Sequence, residues 1–272
     1  GDLKNTYILL ILLATIWMGL VGFIDDYLKV FKKMKKGLVA RYKLMNQIGL
    51  GIVVACLIYF LPEFEKINSV TTIPFLKQIE FDFSYLYIPI MVFIITATSN
   101  AVNLTDGLDG LAIGTVGIAG LAIGLIAYLS GNEIFSRYLN IIYLPGNGEL
   151  AVYCAALVGA SLGFLWFNSY PAQVIMGDTG SLALGGAIGT LSILVKKEFL
   201  LPILGGIFFA ESLSVILQRY YFKYTKKKTG EGKRIFKMAP LHHHFELAGI
   251  PEPKIVTRFY IVAVILAILT FA

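Results

Sequence analysis

Residues 6–24 read TYILLILLATIWMGLVGFI, and the next two positions are Asp25 and Asp26. The run carries no charge and approaches the ~20 residues that an α-helix needs to cross hydrocarbon. A carboxylate at the centre of such a span costs about 2.5–3.5 kcal/mol on insertion scales, so a pair placed directly after it marks the edge of a bilayer. Runs of the same kind recur at 44–61, 86–102, 111–128, 151–167, 181–195, 200–218 and 256–272. With the first, these eight spans predict an all-α polytopic membrane protein, organised as one domain over residues 1–272. The 181–195 segment is short and Gly-rich, and only Lys196–Lys197–Glu198 separates it from the next.

Composition agrees with that reading. A chain of 272 residues with 57% hydrophobic and 15% charged side chains has more apolar surface than a water-soluble core can hide. A formal charge of +6 would suit nucleic acid, but the basic residues sit in loops between apolar runs, as membrane topology requires, and no nucleic-acid partner is expected. Cys56 and Cys154 both fall inside spans without CxxC or Cys/His spacing, which indicates neither disulfide nor zinc. The chain begins Gly1–Asp2–Leu3–Lys4, with nothing resembling a signal peptide, and reads as a fragment.

Loop charge sets the orientation. The 25–43 loop carries Lys29, Lys32, Lys33, Lys35, Lys36, Arg41 and Lys43, whereas the next has Glu63, Glu65, Glu80 and Asp82 against Lys66 and Lys77. The first is therefore expected in the cytoplasm and the second outside. Alternation then puts 103–110, 168–180 and 219–255 inside, and 129–150 and Lys196–Glu198 outside. The last inner loop, with Arg219, Lys223, Lys226, Lys227, Lys228, Lys233, Arg234 and Lys237, ends the count where the rule wants it, and both termini face outward.

On this topology the unusual polar residues share the cytoplasmic face: Asp25–Asp26, Asn103 to Gly110, Asn168, Gly177 to Ser181, and Pro240 to Glu246. Acids gathered at one face from separate loops call for a shared reason, and a divalent cation supplies one. Hard oxygen donors favour magnesium over zinc, and magnesium commonly binds one or two carboxylates together with substrate phosphates. Phosphate chemistry follows, without a P-loop, a GxGxxG or an HExxH pattern. Asp106 and Asp109, at i and i+3, could share one helical turn; the alternative is an Asx-rich turn with glycines for positive φ. Gly177–Asp178–Thr179–Gly180–Ser181 could bring backbone N–H groups to an anion at a helix N-terminus, or simply cap a helix. His242, His243 and His244 are adjacent, so they cannot all face one site.

Taken together, GFIDDY (22–27), NAVNLTDGLDG (100–110), Phe167–Asn168, MGDTGSLALGG (176–186) and KMAPLHHHFE (237–246) resemble the phospho-N-acetylmuramoyl-pentapeptide transferase family. The family is a branch of the polyprenyl-phosphate N-acetylhexosamine-1-phosphate transferases. The resemblance covers essentially the whole chain. It implies a reaction between UDP-N-acetylmuramoyl-pentapeptide and membrane-embedded undecaprenyl phosphate, with Mg2+ as cofactor and UMP released. It further implies a homodimer among lipid in the bacterial cytoplasmic (inner) membrane, with the active site facing the cytoplasm. Of the family's ten membrane helices this chain would supply the last eight.

By the same resemblance Asp178 is the principal magnesium ligand, Asp25 and Asp26 lie beside the reacting phosphates, and Lys43 faces their charge. Asp106, Gly107, Leu108 and Asp109 match the region around the uridine, with Asn103 and Asn168 as supporting polar residues. His242, His243 and His244 match the loop that distinguishes the muramoyl-pentapeptide branch. Ile175 stands where the family often has Phe.

The acceptor is a phosphate monoester with a second pKa near 6, so little general-base help is needed and the main demand is to neutralise two anions held in line. Direct attack is the simpler expectation, with Asp25 or Asp26 orienting the attacking oxygen; a two-step route through an aspartyl-phosphate is also chemically open. A close alternative is an enzyme that uses UDP-N-acetylglucosamine. A membrane transporter, the alternative from another class, would place its acids at the midplane of spans and not at one face.

Overall fold

A computed structural model of the chain describes residues 2–34, 37–74 and 79–271. Lys35, Lys36 and Lys77 of the loop-charge pattern lie outside the described residues.

Seven of the eight expected spans each land on one helix, and 200–218 is broken at Gly205 into a short helix and the start of a long one. The long ones are α1 (Thr6–Val30), α2 (Ala40–Phe60), α3 (Tyr87–Thr105), α4 (Leu111–Ser130), α6 (Glu149–Asn168), α7 (Gly177–Leu194), α9 (Gly206–Thr229) and α11 (Glu252–Leu269). The short helices α5 (Glu133–Leu139), α8 (Leu201–Leu204) and α10 (Leu241–Glu246) lie between them. By length and composition five helices among the described residues can cross a membrane: α1, α2, α3 with the turn before it, α4 and α6. Exposed Leu9, Ile16, Leu20 and Phe23 on α1 show the lipid-facing character of the outer surface.

The Gly-rich α7 is the centre of the bundle, packed chiefly against α1 and α3. All residues from Gly185 to Leu194 are buried, which explains a composition of small residues that a lipid-facing helix would not need.

Charge marked the ends of the apolar runs but not the ends of the helices. α1 runs past Asp25–Asp26 to Val30, and α9 runs past the expected end at 218 through its lysines to Thr229, stopping at Gly230 with φ +80°. Lys, Arg and Tyr continue a helix readily in water; a left-handed glycine ends it.

The loop after α2 also departs from a purely helical reading. It forms a two-stranded antiparallel hairpin, β1 (Val70–Thr72) and β2 (Glu80–Asp82), in register Val70↔Asp82, Thr71↔Phe81 and Thr72↔Glu80. Strands this short leave no readable period. The hairpin closes on Lys196–Lys197–Glu198, which is hydrophilic in sequence yet largely buried: Lys197 Nζ donates to Thr72 Oγ1 at 2.8 Å, and Glu198 Oε1 accepts from Tyr87 Oη at 2.5 Å. Lys196 Nζ lies 4.4 Å from the Tyr87 ring centroid, and burial pushes its amine down to about 8 while raising the Glu198 carboxyl.

Candidate active site

At the opposite end of the bundle, the last turns of α1 carry Asp25, Asp26 and Lys29, the first turn of α2 carries Lys43, and the first turn of α7 carries Asp178. Gly22 lets these elements meet: a Cβ there would fall 2.2 Å from the Asp178 carbonyl oxygen, so α1 and α7 touch backbone to backbone.

Asp26 then caps α7. Met176, which precedes the helix, offers no side-chain cap. Instead the Asp26 carboxylate accepts from the Asp178 amide at 3.1 Å, the Thr179 amide at 2.8 Å and the Thr179 hydroxyl at 2.6 Å. The anion at this N-terminus is thus supplied by the chain itself, satisfying orphan donors and the helix dipole together.

Asp25 is buried. Its Oδ1 accepts from the Leu38 amide at 2.6 Å and lies 3.0 Å from Lys43 Nζ, and its Oδ2 lies 2.5 Å from Lys29 Nζ. Both lysines also reach Asp178: Lys29 at 3.2 Å, and Lys43 through a direct hydrogen bond to Oδ2. Asn103 completes the set by donating to Asp178 Oδ1 at 3.2 Å and to Ser181 Oγ at 2.8 Å. One oxygen from each of Asp25, Asp26 and Asp178 falls within 4.8 Å of the others, a donor set suited to a hard divalent cation.

Around this centre the remaining candidates divide. The 106–110 segment is a turn between α3 and α4, not a helical turn, because Gly107 and left-handed Gly110 interrupt the helix. Its two acids therefore part company. Asp106 feels the centre: burial, with the charges of Asp178 and Asp26, pushes its carboxyl up to about 6. Asp109 faces away, its amide donating to Glu252 Oε1 at 2.7 Å and its Oδ2 accepting from the Ala172 amide at 2.9 Å.

Asn168 ties the same strands of chain together, accepting from the Gly110 amide at 3.1 Å and donating to the Val174 carbonyl at 2.8 Å. Leu108 is buried with Leu111, Ile255 and Val256 under the turn. Ile175 is 83% exposed. The histidines diverge on the short α10: His242 is buried, His243 Nδ1 lies 2.6 Å from Glu246 Oε2, and His244 Nδ1 accepts from the Lys237 amide at 3.1 Å.

Residues 8–196, most of the chain, match glycosyl transferase family 4. The chain belongs to this family. Among its relatives, the phospho-N-acetylmuramoyl-pentapeptide-transferase of Pelodictyon phaeoclathratiforme is 58% identical over 96% of this chain and 71% of its own length. The enzyme of the same name from Chloroherpeton thalassium is 56% identical over 98% and 73%, and that of Flavobacterium psychrophilum 50% identical over 99% and 76%.

One residue of this centre, Lys29, lies outside the candidates that the sequence motifs single out. Lys29 was counted only as loop charge, although its i+4 spacing from Asp25 on a continuing helix was the available signal.

Proposed function

We propose that this protein, a single integral-membrane transferase domain, moves phospho-N-acetylmuramoyl-pentapeptide from its UDP-linked precursor to undecaprenyl phosphate, releasing UMP. The observation that carries the reading is the meeting of Asp25, Asp26 and Asp178 with Lys29 and Lys43 at one end of an apolar bundle. Two phosphates must approach one another in this reaction, and a site mixing fixed amines with cation-binding carboxylates suits that electrostatic problem.

Magnesium fits the oxygen donors, with Asp178 as its principal ligand and Asp25 and Asp26 beside it; when bound it would neutralise phosphate oxygens. The chain's own residues do the rest. Lys43 and Lys29 screen the approaching charge and hold Asp178 in place. Asp26, occupied by three donors at the start of α7, serves as a fixed orienting anion better than as a nucleophile. This favours direct attack, in which an acceptor phosphate oxygen bonds to the sugar-linked phosphorus as its bond to UMP breaks. The uridine is assigned to the Asp106–Asp109 turn and Ile175, and the sugar-peptide to the histidine loop. The site faces the cytoplasm from the bacterial inner membrane, and the enzyme works as a homodimer.

The test is UMP release by the purified full-length protein in lipid. UDP-N-acetylmuramoyl-pentapeptide, undecaprenyl phosphate and Mg2+ together should support turnover, and omission of any one should abolish it. Turnover with UDP-N-acetylglucosamine in place of the muramoyl precursor would overturn the donor assignment.

A further inference from the structure

Glu211 lies on α9 with no exposed surface, where a lone carboxylate is costly. Its one ion-pair partner among the described residues is His242, itself 1% exposed. Glu211 Oε1 accepts from the His242 amide at 3.2 Å and lies 3.3 Å from the ring Nδ1. The other face of that ring rests on the turn beside the acidic centre: a Cβ on Gly107 would fall 2.2 Å from His242 Nε2. Contact therefore runs from Glu211 through His242 to Gly107, next to Asp106, whose carboxyl feels the charges of Asp178 and Asp26.

This unit is poorly built for stability alone. Glu211 Oε2 and both ring nitrogens of His242 make no hydrogen bond among the described residues. Buried polar atoms left so are expensive, and an apolar pair of the same shape would be the more stable choice. The ring is held between the Glu211 carboxylate on its Nδ1 side and the Gly107 backbone on its Nε2 side.

We propose that Glu211 is a positioning residue for the transfer reaction: it anchors His242, and through His242 it fixes the Asp106–Gly107 turn against which the nucleotide sugar docks. The inference rests on the reaction assigned above. It goes further in giving a buried acid of α9, remote in sequence from the other site residues, a role in donor binding.

The test is a double-mutant cycle on the full-length protein in lipid. Glu211→Gln keeps the size and an acceptor for the His242 amide while removing the charge, and His242→Gln removes the ring. Each single change is expected to lower kcat/KM for the nucleotide sugar about tenfold, mainly through KM, at a temperature where a melting curve shows each variant still folded. The double variant is expected to be no worse than the poorer single, because both act through one contact. Losses that multiply to about a hundredfold, or a Glu211→Gln variant with the parent's KM, would overturn the proposal. Should Glu211→Gln not fold, Glu211→Asp, which keeps the charge at a shorter reach, enters the same cycle with the same criterion. A parent that releases no UMP counts against the assigned reaction, whereas multiplied losses in an active parent count against Glu211 acting through His242.

Discussion

Asp26 and Thr179 are joined twice, by the Thr179 amide at 2.8 Å and its hydroxyl at 2.6 Å, both donating to the same carboxylate oxygen. The end of α1 thereby sets the start of α7, and with it the direction in which Asp178 projects. Truncation of Asp26 to Ala should cost roughly 1–2 kcal/mol, as other lost caps do. In a protein of this size that is a fall of about 2–4 °C in melting temperature per kcal/mol. Asp26→Asn, which keeps one acceptor oxygen, should fall less. Equal melting temperatures for Asp26→Ala and the parent would show that the cap contributes nothing.

Asp178→Asn should abolish turnover while leaving the protein folded. The change removes a charged donor from the oxygen cluster and the ion-pair partner of both lysines, at a cost of several kcal/mol in the transition state. Steady-state UMP release alongside a melting curve checks it. Activity above a tenth of the parent removes Asp178 from the centre.

Asp106 gives a pH signature. Its carboxyl is raised to about 6 by burial and by the charges of Asp178 and Asp26, from an unfolded value of about 4. Between those values the folded chain holds a proton that the unfolded chain has lost. The contribution is therefore full below about pH 4 and is lost as pH rises through about 6. In metal-free protein, Asp106→Asn should flatten the decline in melting temperature between pH 4 and 6 relative to the parent. Identical slopes would contradict the burial of this carboxyl beside the other acids.

Ile175 is exposed, so a larger side chain there has room and does not overpack a helix contact. If it lines the uracil site, Ile175→Phe adds a ring face, and base–aromatic stacking is worth ~1–3 kcal/mol. The base lies away from the reacting phosphates, so KM should fall about threefold to tenfold with kcat little changed. An unchanged KM with a lowered melting temperature would remove Ile175 from the nucleotide site.

At the end of the bundle away from the acidic centre, Lys196→Met removes the donor to Tyr87 Oη and the nearby charge that favours ionised Glu198, and should destabilise the protein by about 1–3 kcal/mol. Lys196→Met with Glu198→Leu should recover most of that loss, since no charge is then buried alone. Thermal melts of the single and double variants decide it, and a double variant as unstable as the single would argue against the pairing.

The sequence by itself determined the class of protein and the end of the helices at which its candidate site residues gather. Apolar runs of membrane length, loop charge and the placement of acids at span ends are local properties, readable within about twenty residues. They located all the long helices and gathered Asp25, Asp26, Lys43, Asn103 and Asp178 at one end. Tertiary structure alone decided which of these touch. Asp26 and Asp178 are 152 positions apart, and no periodicity could announce that one caps the helix of the other. The same holds for the parting of Asp106 from Asp109, which depends on where Ala172 and Glu252 are delivered, and for the burial of Lys196 and Glu198 under a hairpin too short to show a period. His242 was visible as one of three like neighbours, but only the approach of α9 to the Gly107 turn singles it out. Helix formation follows from near neighbours along the chain, whereas the pairing of buried polar groups is fixed only when distant helices pack and leave each group one partner within reach.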